Sequence, residues 1–156
     1  NRLLQSKRRT GKAPSLVFVG DERMLAQVAG EICPLSRRLM KAFWPGPLTI
    51  VLWASEKVCP ALTGGEGKIG LRYPASLFLN RLVNLTGSPL VATSANLSGS
   101  PPVTDGVEAF RVFGETADLI LDGGKAASEP STVVDATGEN ATVLRPGKLK
   151  LCAEAG

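Results

Sequence analysis

Lys7 and Arg9 stand one residue apart near the start of the chain, and the loop Thr93-Ser94-Ala95-Asn96-Leu97-Ser98-Gly99 follows the apolar run Pro89-Leu90-Val91-Ala92. Alternate residues of an extended strand point the same way, so a strand at Lys7 and Arg9 would aim two cations at one phosphate. The Ser94 hydroxyl and the Asn96 amide, on the turn that leaves a second strand, would supply neutral donors to the same oxygens. The two stretches together predict a divided anion site. The plainer readings are a frayed basic terminus for the first and a side-chain turn that only shapes its loop for the second. A turn that exposes backbone N–H groups would serve both uses. Histidine is absent from the chain, which removes Ser-His-Asp and Cys-His nucleophilic machinery and imidazole metal sites. What remains is chemistry by cations, hydroxyls and amides, which suits phosphoryl or nucleotidyl transfer.

Lys7-x-Arg9, Phe43-Trp44-Pro45-Gly46-Pro47-Leu48-Thr49, Gly70-Leu71-Arg72-Tyr73-Pro74, Ser94-x-Asn96-Leu97-Ser98-Gly99, Pro130-Ser131-Thr132-Val133-Val134-Asp135 and Leu144-Arg145-Pro146-Gly147 occur in that order. Singly each is weak; as an ordered set it resembles the YrdC-like threonylcarbamoyl-adenylate synthases over nearly the whole chain. The resemblance implies an enzyme that joins L-threonine, bicarbonate and ATP, with Mg²⁺, into threonylcarbamoyl-adenylate and pyrophosphate for tRNA modification. It implies that Lys7 and Arg9 are catalytic and bind ATP together with Ser94, Asn96 and Arg145, that Arg72 and Ser131 hold L-threonine, and that no side chains form a resident metal site. A guanidinium suits the threonine carboxylate because its paired N–H groups match two oxygens. The implied partners are a downstream threonylcarbamoyl transferase and tRNA or double-stranded RNA. Members of the family usually carry a segment ahead of Lys-x-Arg with a Thr-x-Tyr-Gly-Leu type motif, so this chain is expected to be truncated at its N-terminus. The alternative to an enzyme is an RNA-binding module whose nucleotide site is vestigial.

These residues must be positioned by a framework, and 156 residues are enough for one domain with its own core. Leu16–Val19, Leu48–Trp53, Ile69–Arg72, Leu90–Thr93, Leu119–Leu121, Thr132–Val134 and Thr142–Leu144 read as strands. Helices are expected from an Asp21 N-cap through Ile32, from Pro34 to before the Pro45-Gly46-Pro47 corner, around Phe78–Leu85 with Gly87 as terminator, and from Asp105 to Gly114. The alternation predicts an α/β fold, a single domain over residues 1–156 with a mixed, twisted sheet and flanking helices, and the resemblance implies that the sheet is open with a concave basic face.

Gly64-Gly65-Glu66-Gly67-Lys68 is followed by Ile69 where a Walker loop needs Ser or Thr, so it reads as a connecting loop. Trp44 between an apolar helix and two prolines reads as a packing corner. The net charge of +4, with basic groups at Arg2–Lys12 and at Arg37, Arg38 and Lys41, favours phosphate-bearing partners. Three scattered cysteines suggest neither a disulfide framework nor zinc. No apolar run is long enough for a membrane helix, and a cytoplasmic location with no membrane partner is expected.

Overall fold

Six short strands form one mixed sheet: β1 (Leu16–Phe18), β2 (Leu48–Trp53), β3 (Lys68–Arg72), β4 (Leu90–Ala92), β5 (Thr132–Asp135) and β6 (Thr142–Arg145). A computed structural model of the chain describes residues 14–125 and 129–151. The order across the sheet is β4-β1-β3-β2-β5-β6. β1 with β3 and β2 with β5 run parallel, and the other neighbours antiparallel. The sheet lies in a larger unit made of residues 14–92 and 130–151, and residues 93–125 and 129 belong to a smaller one.

Register explains why the strands read as they do. Val17, Leu71, Ile50 and Val134 pair in one row across β1, β3, β2 and β5, and none is more than 2% exposed. Helices α1 (Glu22–Val28) and α2 (Pro34–Phe43) cover that face, with Leu25, Val28, Leu35, Leu39, Met40 and Phe43 packed into the same cluster. Each such aliphatic side chain contributes roughly 1.5–3 kcal/mol when buried. A second cluster joins Val83 of α3 (Leu77–Thr86) to Phe18, Val19, Met24 and Leu90.

Local signals set the helix ends. Asp21 accepts the Met24 N–H at 2.7 Å, and Gly87 closes α3 at φ 68°, a conformation that costs glycine little. Helix α1 stops at Val28, short of the expected Ile32, because Ala29 turns extended and forms a bridge with Ala54. In the smaller unit α4 (Gly106–Phe113) is capped by Asp105, which accepts the Glu108 N–H at 2.9 Å. The Glu108 carboxylate returns to the Thr104 N–H instead of the cap residue's own. Leu119–Leu121, expected as a strand, is irregular, and Leu119 and Leu121 are exposed. No strand pairs with it among the described residues. β4 ends at Ala92, leaving Thr93 in the loop. Among the described residues no helix is long and apolar enough to cross a membrane.

Candidate functional site

Successive residues of a strand face opposite ways, so the face of β2 turned away from α1 and α2 presents Thr49, Val51 and Trp53. Thr49 pairs with Val133, and Val133 with Arg145. Continuing the Ile50–Leu71 register by one residue sets Thr49 beside Arg72. One level of the sheet therefore carries Arg72, Thr49, Val133 and Arg145 on a common face. The level next to it has Gly70, Val51 and Asp135, and Gly70 adds no side chain beside Arg72. This is the basic sheet face that the sequence led us to expect.

Arg145 Nη2 donates to the Ser131 carbonyl at 2.9 Å and to its hydroxyl at 3.2 Å. The Ser131 hydroxyl lies 2.9 Å from that of Thr49, and both residues are buried. Ser131 is fixed by a backbone crossing that only glycine permits. A Cβ at Gly147 would collide with the Pro130 carbonyl and with the Ser131 backbone. The Lys148 N–H bonds the Pro130 carbonyl at 3.0 Å in the same place.

Arg72 Nε donates to the Gly46 carbonyl at 2.9 Å, and the Gly46 N–H bonds the Tyr73 carbonyl at 2.8 Å. The Pro45-Gly46-Pro47 corner thus holds one edge of the guanidinium and leaves the two terminal nitrogens for another acceptor. The guanidinium carbon stands 5.9 Å from the Phe18 ring centroid, within cation–π range. Burial, and secondarily the positive charge of Arg145, hold the Arg72 pKa below its ordinary value. Among the described residues no carboxylate pairs with either arginine. Two like charges without a counter-ion among the described residues are an arrangement that a bound anion would relieve.

The acidic partner on this face goes elsewhere. Asp135 accepts from Lys68 Nζ at 2.8 Å and from Thr137, while Lys68 lies 5.3 Å from the Trp53 ring centroid. Lys68 thus begins a strand and closes an ion pair, in keeping with the rejection of a Walker loop. Trp44 donates its indole N–H to the Leu48 carbonyl at 2.8 Å and packs against both clusters, the packing corner foreseen.

The structure brings Arg72, Ser131 and Arg145 together in the larger unit. Ser94 and Asn96 lie in the smaller unit, where the Ser94 hydroxyl donates to Asn96 Oδ1 at 2.6 Å and Asn96 Nδ2 to the Ser100 carbonyl at 2.8 Å. With the Val103 N–H on the Ala95 carbonyl at 2.8 Å, these bonds fold the loop on itself, so its turn-shaping role is observed. Lys7 and Arg9 lie outside the described residues. Thr49 was missed as a site residue, since a threonine within Leu-Thr-Ile-Val-Leu-Trp reads as one more branched strand residue; its place in the Pro-Gly-Pro-Leu-Thr motif was the available signal.

A family model for Sua5, YciO and YrdC, described as telomere recombination, matches residues 1–147. A threonylcarbamoyl-AMP synthase of Pyrococcus abyssi is 36% identical over 96% of this chain and 44% of its own length. One from Thiobacillus denitrificans is 34% identical over 88% of this chain and 74% of its own. The crystal structure of P. abyssi Sua5 complexed with L-threonine superposes with a TM-score of 0.88, at 36% identity, over 94% of this chain and 43% of that one. The chain thus spans less than half of the archaeal relative.

Proposed function

This chain belongs to the Sua5/YciO/YrdC family, and from that footing we propose that it is a threonylcarbamoyl-AMP synthase, condensing L-threonine, bicarbonate and ATP with release of pyrophosphate. The observation that carries the reading is Arg72 and Arg145 on one sheet face, without a carboxylate partner among the described residues and with Arg145 on the buried Ser131 hydroxyl. In relatives named for this activity, one is solved with L-threonine bound. In this chain the Arg72 fork would take the threonine carboxylate, with Ser131 beside it. The threonine amine would form its N–C bond to bicarbonate carbon with loss of water, and the carbamate so formed would present an oxygen to the α-phosphorus of ATP. The P–O bond to pyrophosphate breaks as the new one forms, and cations offset the growing negative charge. We assign that task to Arg145 together with Lys7 and Arg9, and phosphate binding to the loop that Ser94 and Asn96 shape, on the strength of the family pattern.

Among the described residues no three Cys, Asp or Glu side chains converge to hold a metal ion, so an all-protein magnesium cage does not fit them. Mg²⁺ would be held by the phosphate oxygens of the nucleotide, where it would offset their charge. The product would pass to a threonylcarbamoyl transferase acting on tRNA. The test is pyrophosphate release: protein supplied with ATP, bicarbonate and L-threonine should exceed an ATP-only control, and equal rates in the two would refute the assignment.

A further inference from the structure

The Thr49–Ser131–Arg145 contacts limit where two hydroxyl hydrogens can go. A guanidinium can only donate, so the Ser131 oxygen accepts from Arg145 Nη2. Between Thr49 and Ser131, 2.9 Å apart, either could donate. Thr49 is only 4% exposed, and its hydroxyl has no other partner among the described residues. Whichever donates, the other hydroxyl's hydrogen has no acceptor among the described residues, and leaving it buried without one costs about 1–3 kcal/mol; the Ser131 hydrogen, beside the Arg145 guanidinium, is the one that a bound anion can accept. With Thr49 as donor, two hydrogens fill the lone pairs of the serine oxygen, and its one hydrogen is left for an outside acceptor. That acceptor belongs to an anion, because Arg72 and Arg145 make the surroundings positive.

We propose that Thr49 is a positioning residue: its buried hydroxyl fixes the Ser131 O–H so that this hydrogen points to the carboxylate of the amino-acid substrate. The proposal rests on the synthase reading and adds a residue that acts through Ser131 without touching the substrate. Its specificity consequence is selective. Thr49 should govern affinity for the amino acid and leave the nucleotide alone, because the hydrogen it directs serves a ground-state contact with the carboxylate.

T49V keeps the branched shape and removes the hydroxyl; T49S keeps the hydroxyl and loses a methyl group. In steady-state assays of pyrophosphate release, T49V should raise the KM for L-threonine about tenfold, the scale of one directed hydrogen bond to a charged group, with kcat and the KM for ATP changed less than about twofold. T49S should restore the parent value. Calorimetric titration of L-threonine into parent, T49V and T49S should show the same ranking without turnover. Unchanged threonine affinity in T49V would overturn the proposal, as would a parallel fall in threonine affinity, ATP affinity and melting temperature, the mark of a merely structural role. Parent protein that binds L-threonine but releases no pyrophosphate would overturn the synthase reading alone, with the titrations still deciding on Thr49. Parent protein that does not bind L-threonine would overturn both.

Discussion

Arg72 and Arg145 feel each other's like charge, and with no carboxylate partner for either among the described residues that arrangement costs stability unless an anion offsets it. R145Q keeps a donor for Ser131 and deletes the charge. Relief of repulsion should offset the weakened bond, so the denaturation midpoint should stay near that of the parent while turnover falls roughly 10–100-fold, the range of one lost electrostatic stabiliser. Urea titration and pyrophosphate release measured on one preparation check both halves. The arginines and Ser131 were legible because each stands in a short motif. Their mutual geometry was not, since fourteen residues separate Ser131 from Arg145 and only the β5–β6 pairing returns one to the other. Thr49 was illegible for a different reason: a buried hydroxyl and a buried methyl group occupy a strand pattern equally well.

Elements succeeded where chemistry forces a backbone choice. Asp21, Pro34, Gly87 and Asp105 each mark a helix end that the structure reproduces. Periodicity failed at Ile32, where pairing of Ala29 with Ala54 overrides helical spacing. It failed again at Leu119–Leu121, where three apolar residues find no neighbouring strand among the described residues; an edge without a partner is not a strand. The same logic gives Gly147 its place. It is required by proximity, because the turn after β6 crosses the Pro130–Ser131 backbone with no space for a Cβ. G147A should therefore destabilise the protein by about 1–3 kcal/mol, as overpacking does, and it should displace Ser131. Chemical denaturation should register the first effect, and a raised KM for L-threonine the second, more severe than R145Q in stability and comparable in activity.

For the larger unit, acid stability turns on the sheet face that carries the site. Lys68 on β3 reaches over β2 to Asp135 on β5, so one ion pair ties strands that are not neighbours. Burial pushes the Asp135 carboxyl up, but the hydrogen bond from Lys68, those from Thr137 and the Lys68 charge outweigh it, and the group titrates below its ordinary value of 3.8. A carboxyl whose pKa is depressed by folding binds its proton more readily in the unfolded chain. Its contribution is thus complete above 3.8 and is lost as pH falls through the lower folded value. Both side chains are about four-fifths shielded, which places the pair between exposed and buried cases, at about 1 kcal/mol. D135N should lower the unfolding free energy by that amount at neutral pH. The gap to the parent should close below pH 3.8 as the parent's own carboxyl becomes protonated. Urea midpoints across this range decide the matter: the asparagine oxygen can still accept the hydrogen bonds from Thr137, so a gap that persists in acid would mean that the charge of Asp135 is not the source of its contribution.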